Sequence, residues 1–132
     1  MKPVLPAAAI ATLLAAACAV ALYSQNPGIQ RTVVHKADVS VPGREAVIAR
    51  VEIAPGAAAG RHTHPGDEIT YVMEGQGELL IDGEPPLKFK AGDGFVVKSG
   101  LKHDARNTGA QPLKLAAIYV VEKGKPTATP VP

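Results

Sequence analysis

The sequence predicts an all-β protein built as a single domain, and three observations support this prediction. The chain has 132 residues, the usual size of one domain with one core. Its 13 Gly and 12 Pro separate short apolar runs, as turns separate strands. From residue 31 onward the apolar residues follow a period of two, and no convincing period of 3.6 is present. These features favour a sandwich or barrel of short strands.

Seven segments carry the strand pattern. Residues 46–53 are the clearest, because their apolar side chains at every second position would share one face of a strand. The predicted strands are residues 32–36, 46–53, 67–74, 78–82, 87–90, 95–98 and 113–122. They make residues 31–122 the predicted barrel, and the tail, residues 123–132, is predicted to be extended because it contains three prolines.

The charge distribution argues against a nucleic-acid partner. Fourteen Lys and Arg oppose twelve Asp and Glu, and no run of five like charges exists. A nucleic-acid-binding face would concentrate Lys and Arg on one surface or in one run. We therefore expect no nucleic acid as a partner, and the small-molecule ligand or substrate is expected from the histidine and glutamate residues described below.

The first 21 residues are predicted to be a secretory signal peptide. Lys2 precedes an almost wholly apolar stretch, residues 4–22, and Ala19 and Ala21 form an A-x-A cleavage site. This pattern predicts export, into the periplasm. Two alternatives stay open: a lipoprotein signal in which Cys18 is lipidated, and an uncleaved anchor. Uncleaved, the stretch as a helix would be about 28 Å long at roughly 1.5 Å per residue, close to the membrane core of about 30 Å.

Three histidines and one glutamate lie in two glycine-bounded segments. They are His62, His64 and Glu68 in residues 56–75, and His103 in residues 92–107. Residues two apart on a strand face the same way, so His62 and His64 can both face a barrel interior. A turn at Pro65 and Gly66 would return Glu68 to the same lumen, and His103 would come from a later strand. Three imidazoles and a carboxylate suit one divalent transition metal, namely Fe, Mn, Ni, Cu or Zn.

The two segments resemble the conserved motifs of the cupin superfamily, G-x5-H-x-H-x3-E-x6-G and G-x5-P-x-G-x2-H-x3-N. Every fixed position of the first motif is present, and the second departs only where Lys98 replaces its proline. The chain resembles small single-domain bacterial cupins. This resemblance implies a jelly-roll β-barrel of six to eight strands. It also implies a homodimer in which an edge strand is exchanged, and residues 32–36 are the candidate for that strand.

The resemblance also bears on function. The set of three histidines and one glutamate is similar to that of quercetin-type and other dioxygenases, oxalate decarboxylases, oxidases and some isomerases. We expect an exported metal-dependent enzyme of oxygenase type that binds a small organic molecule directly at the metal. Glu68 is both a ligand and the candidate catalytic proton acceptor. A non-catalytic module that binds a small molecule or stores metal is the alternative, and a structural domain with an incidental ion is a third.

Several residues near the motifs receive a structural interpretation. Asn107 is expected to be structural, His35 to be a surface or core histidine, and Tyr71 to pack outside the lumen. Lys98, with Arg61 and Lys102, forms either three solvated side chains, the favoured interpretation, or a weakly anion-attracting rim. The predicted apolar lining of the cavity comprises Val47, Ala49, Val51, Val72 and Phe95.

Overall fold

The computed structural model describes residues 27–132, all of whose regular elements are strands. The predicted signal peptide, residues 1–21, lies outside the described residues. Ten strands are present in the described part of the chain. They are β1 (Ile29–Asp38), β2 (Arg44–Ile53), β3 (His62–Thr63), β4 (Gly66–Glu74), β5 (Gln76–Ile81), β6 (Leu87–Lys90), β7 (Gly94–Val97), β8 (His103–Asn107), β9 (Leu113–Glu122) and β10 (Thr129–Pro130).

The strands form two five-stranded antiparallel sheets that enclose the core. One sheet has the order β1-β2-β9-β4-β7 and the other has the order β10-β3-β8-β5-β6. The predicted all-β class is confirmed. The expected number of six to eight strands was too low, because β3 and β10 are only two residues long. Such short strands are held by their neighbours and leave no periodic pattern to recognise.

The core follows from the period of two. Along β9 buried and partly exposed residues alternate without a break, and β2 shows nearly the same alternation. These two strands pair over their full lengths, with Ile53 opposite Leu113 and both side chains fully buried. The buried apolar side chains are Val47, Ala49, Val51, Ile53, Val72, Leu79, Phe89, Phe95, Val97, Ala105, Leu113, Leu115, Ala117, Tyr119 and Val121.

The edge strand β1 is longer and more exposed than predicted. It covers ten residues rather than residues 32–36, and nine of the ten are exposed. It pairs antiparallel with β2 of the same chain, with Arg31 opposite Val51. The structure therefore places this strand on its own sheet, and its exchange with a partner stays a prediction.

The tail lies against the barrel. Within residues 123–132, β10 pairs antiparallel with β3, with Thr129 opposite Thr63 and Pro130 opposite His62. The Val131 amide donates to the Arg61 carbonyl at 3.1 Å. The sequence predicts an extended tail, and the structure adds where it runs: beside the strand that carries His62.

Glycines at the turns have the backbone conformation that the pattern predicts. Gly75 has a φ of 86°, and a Cβ there would lie 2.8 Å from the Pro112 carbonyl oxygen, so only glycine fits. Positive φ angles likewise confirm the turn role expected of Gly56, Gly92 and Gly100. Gly66 differs from its expected role in a turn, because it is the first residue of β4.

Among residues 27–132 no helix is long and apolar enough to cross a bilayer.

Candidate metal centre

Four side chains converge between the two sheets. They are His62, His64, Glu68 and His103, all buried, and their candidate ligand atoms lie within 4.8 Å of one another. In one sheet β3 places His62 directly opposite His103 on β8. Glu68 arrives from β4 in the other sheet, and His64 lies in the short link between β3 and β4. The four residues predicted as metal ligands therefore form one cluster.

The spacing of the ligand atoms suits a single ion. His62 Nε2 lies 3.2 Å from His64 Nε2, and Glu68 Oε2 lies 3.0 Å from His64 Nε2 and 3.2 Å from His103 Nε2. Metal–ligand bonds of about 2.0–2.2 Å put neighbouring ligands roughly 3 Å apart around a transition metal. The cluster has the dimensions of one coordination sphere.

The other ring nitrogen of each histidine faces a backbone carbonyl. A carbonyl oxygen can only accept, so each Nδ1 carries the proton and donates it. The acceptors are Gly60 at 2.6 Å for His62, Leu101 at 2.9 Å for His103, and Thr127 at 2.6 Å for His64. These contacts hold each neutral ring in the tautomer with a bare Nε2 lone pair toward the centre.

This arrangement fits a metal better than it fits an empty hydrogen-bonded cluster. With Nδ1 protonated, a neutral His62 and a neutral His64 present lone pairs to each other at 3.2 Å and cannot form a hydrogen bond. The Glu68 carboxylate adds negative charge at the same point. A cation relieves this repulsion, because all four donor atoms can then point at it.

Glu68 is an ionised carboxylate in this environment and so a candidate ligand. Burial would raise the pKa of Glu68, but the neighbouring His103 and His64 rings and the hydrogen bond from Thr70 outweigh it and hold this pKa far below its usual range. The Thr70 hydroxyl donates to Glu68 Oε1 at 2.7 Å, leaving Oε2 toward the histidines. Thr70 is thus a supporting residue that sequence reasoning missed, although its position two residues along the same strand is a usable signal.

Two histidines titrate differently before any metal binds. Burial lowers the pKa of His62 to about 4, so this ring is neutral near pH 7. Burial also lowers the pKa of His103, but the hydrogen bond to the Glu68 carboxylate and the carbonyl of Leu101 outweigh it and raise that pKa. Without a metal, a proton on His103 therefore supplies part of the positive charge that a metal cation would supply beside Glu68.

A narrow cavity of about 20 Å³ lies beside the cluster and opens to solvent. Its lining residues are Arg31, Val51, Ile53, Ala59, His62, Glu68, Leu79, His103, Ala105, Leu115 and Tyr119. Of the five residues predicted as lining, only Val51 is among them. The other four are buried in the core, because strand alternation identifies inward-facing side chains but does not say which depth of the barrel they occupy.

Arg31 and Tyr119 line this cavity and were not predicted from the sequence. Arg31 forms no ion pair or side-chain hydrogen bond with residues 27–132, and its charge acts on His62 and Tyr119. The ring of Tyr119 lies 4.7 Å from the ring of His64, centre to centre. Burial and the Glu68 charge raise the pKa of Tyr119, which keeps its hydroxyl protonated. The cavity therefore has one cation and one hydroxyl close to the ligand set.

The family of the chain follows from comparison with known domains. The Cupin domain family matches residues 49–121, more than half of the chain, and the match contains all four clustered residues. The chain belongs to the cupin family. The sequence-based recognition is confirmed, and the jelly-roll architecture with it.

Individual relatives are similar over part of their length. This cupin is 34% identical over 76 residues to an oxalate-binding protein of Thermotoga maritima, which covers 57% of the chain and 62% of that protein. It is 39% identical over 56 residues to an acireductone dioxygenase of Rhodopseudomonas palustris, covering 40% of the chain and 34% of that protein. The chain thus spans less than two thirds of each of these relatives.

A solved structure supports the same architecture. A Klebsiella pneumoniae protein with a double-stranded β-helix domain superposes with a TM-score of 0.63 at 25% identity, covering 76% of this cupin and 83% of that chain.

The remaining motif residues have structural positions. Asn107 is buried, donates to the carbonyls of Ile53 at 2.9 Å and Gln111 at 2.8 Å, and accepts from the Gly109 amide at 2.9 Å. This confirms its structural interpretation. His35 is exposed on β1 and Tyr71 is 54% exposed, so both lie outside the cavity as expected.

The three cations near the motifs have different surroundings. Arg61 contacts the Asp82 carboxylate and the Pro132 carbonyl, so its charge is already paired. Lys98 and Lys102 are exposed. The favoured interpretation of solvated side chains fits both lysines, and Arg31 adds a positive charge beside the candidate metal cluster.

Proposed function

We propose that this cupin is a metal-dependent enzyme of oxygenase type that acts on a small organic molecule bound directly at the metal. The observation that supports it best is the convergence of three Nε2 lone pairs and one carboxylate beside a cavity. One divalent transition metal, chosen from Fe, Mn, Ni, Cu and Zn, would be held by His62, His64, Glu68 and His103 and would supply Lewis acidity and a template for substrate oxygens.

The cavity favours a small, negatively charged substrate. Its volume of about 20 Å³ is far below the roughly 300–1,000 Å³ of sites for drug-sized ligands, so a substrate would have to be only a few atoms in size or extend out through the mouth. Arg31 offers an unpaired guanidinium at the mouth, which suits a carboxylate or enolate oxygen. Tyr119 would donate a hydrogen bond to a substrate oxygen. One relative is named for oxalate, a small dianion of this type.

Glu68 is proposed to have two roles of unequal weight. Its carboxylate is ionised at every working pH, so it can accept a substrate proton. Its low pKa and its hydrogen bond from Thr70 make it a weak and firmly held base. Its main contribution is therefore as a ligand, and the metal would carry most of the chemistry.

The test begins with the identity of the metal. The protein is purified from its own host without a histidine tag, and its metals are measured by elemental analysis. Oxygen uptake is then followed with catechols, flavonols, 1,3-diketones and small ketoacids, using protein loaded with each candidate metal. We expect one metal per chain and uptake with a small anionic chelator. No uptake with any correctly loaded form contradicts the oxygenase proposal.

A non-catalytic binding module is the alternative, and the small cavity beside the cluster suits it equally. Such a module would bind oxalate or a similar anion at the loaded metal without consuming it. Calorimetric binding of oxalate with full recovery of the ligand after incubation supports the module. Loss of the ligand in parallel with product formation supports the enzyme.

We also propose that the chain is exported, since residues 1–21 have the signal pattern. Intact mass of protein from periplasmic and membrane fractions tests this. A mass that begins at Leu22 supports cleavage, and a lipidated Cys18 or an uncleaved chain supports one of the two alternatives.

Homodimer formation is proposed from the outer face of the sheet that carries β1. A row of branched side chains crosses four strands on the solvent side, with Ile48 opposite Ile118, Ile118 opposite Ile69, and Ile69 opposite Val96. Ile69 is 45% exposed and Val96 is 55% exposed. Contiguous exposed apolar surface marks protein–protein interfaces. Light scattering should show a dimer that Ile69→Glu converts to monomer, and a monomeric native chain contradicts the proposal.

A further inference from the structure

We propose that the C-terminal tail, residues 123–132, is a positioning element of the metal centre. Its Thr127 carbonyl holds His64 in the tautomer that presents Nε2 to the metal. This inference rests on the metal site of the proposed function. It adds that a segment far along the chain from both cupin motifs is needed to complete the site.

The three histidines differ in where their supporting carbonyls come from. His62 and His103 each donate to the residue two positions earlier, at 2.6 and 2.9 Å. These local contacts form whenever the surrounding backbone folds. His64 donates instead to a carbonyl 63 positions away, at 2.6 Å. His64 is therefore the ligand whose orientation depends on whether the tail is in place.

The tail is held in place by contacts on both sides of Thr127. After it, β10 pairs with β3, and the Val131 amide donates to the Arg61 carbonyl. Arg61 also contacts the last carbonyl of the chain and the Asp82 carboxylate. Before it, the Lys125 ammonium pairs with Glu122 at the end of β9. The segment that carries the Thr127 carbonyl is thus fixed by contacts on both sides.

Loss of this carbonyl should weaken the metal site without removing a ligand. Without an acceptor, the His64 proton can move to Nε2 and the ring can rotate, so the bare lone pair is no longer fixed toward the centre. Removing such a supporting partner typically weakens metal affinity by about 10–100-fold.

The test compares two variants of the full-length protein. One ends after Lys125 and lacks the Thr127 carbonyl, and the other is Thr127→Ala, which keeps the carbonyl and changes only the side chain. Zn²⁺ affinity is measured by competition with a chromophoric chelator. We expect about 10–100-fold weaker binding by the truncated chain and binding within about twofold of the native value for Thr127→Ala. Equal affinity of the truncated and native chains overturns the proposal.

A second measurement applies even if the truncated chain fails to fold. Nitrogen–proton NMR spectra of the histidine rings in the native chain report which nitrogen of His64 carries the proton. A protonated His64 Nδ1 with a contact to the backbone proton of Ala128 supports the proposed role of the tail. A proton on His64 Nε2 refutes it. A native chain that binds no Zn²⁺ instead contradicts the proposed function, so the two failures are distinguishable.

Discussion

His62 Nε2 and His64 Nε2 face each other at 3.2 Å, and neither has a proton to share. Each ring gives its proton to a backbone carbonyl on the opposite side. Two lone pairs at this distance in a buried site are unfavourable unless a cation lies between them. The Gly60 and Thr127 carbonyls therefore set the orientation of both rings, and this orientation favours a cation between them.

Loss of either histidine should abolish metal occupancy. His62→Ala and His64→Ala each remove one of four ligands and leave a partly filled coordination sphere. His35→Ala is the matched control, because His35 is exposed on β1 and outside the cluster. Elemental analysis should find about one metal per chain in the control and almost none in the two variants. Stoichiometric metal in His62→Ala or His64→Ala would refute the ligand assignment.

Metal affinity should rise with pH up to a point above 6.5, the ordinary pKa of histidine. The neighbouring Glu68 and the Leu101 carbonyl raise the pKa of His103 despite its burial, so the metal-free site holds a proton there. A metal must displace that proton, because only the neutral ring is a ligand. Affinity should increase about tenfold per pH unit below the pKa of His103 and level off above it.

Calorimetry in buffers of different ionisation enthalpy checks this. About one proton should be released per metal bound at pH 6. His62 contributes a further proton only near pH 4, since burial lowers its pKa to about 4. Binding without proton release at pH 6 would show that His103 is neutral in the metal-free protein.

Arg31 should determine affinity for anions at the loaded metal. Arg31→Gln removes the unpaired charge at the cavity mouth while keeping a polar side chain of similar length. Arg50→Gln is the control, since Arg50 is exposed on the neighbouring strand and does not line the cavity. A charge-assisted hydrogen bond contributes about 1.5–3 kcal/mol, so oxalate binding should weaken at least tenfold. Equal oxalate affinity of the two variants would exclude this role.

Asn107 should matter for stability rather than for chemistry. Its amide joins the end of β2 to the loop before β9 through three hydrogen bonds. Asn107→Ala leaves two carbonyls and one amide unsatisfied, and the free energy of unfolding should fall by about 2–4 kcal/mol. The exposed neighbour Thr108 is the control, with a change within about 0.5 kcal/mol on Thr108→Ala. Urea unfolding measures both, and an unchanged midpoint for Asn107→Ala contradicts the prediction.

Much of the fold was predictable from periodicity. The predicted strand 113–122 has the same bounds as β9, and the predicted strand 46–53 falls short of β2 by two residues. Both are long and alternate strictly, so the pattern is strong. By contrast, β3 and β10 contain two residues each, and β1 is almost wholly exposed. Such strands form because they pair with a neighbouring strand, and the local sequence pattern does not predict that pairing.

The amino-acid sequence alone identified the four candidate metal ligands. His62 and His64, two residues apart, are expected to face the same side of a strand, and the two motifs add Glu68 and His103 to the same candidate set. Only the tertiary structure decided what surrounds them. Arg31 reaches the cavity mouth through its register opposite Val51, and the Thr127 carbonyl reaches His64 because the tail returns beside β3. Contacts between distant segments depend on strand register and on the path of the chain. The spacing of neighbouring residues predicts neither of these.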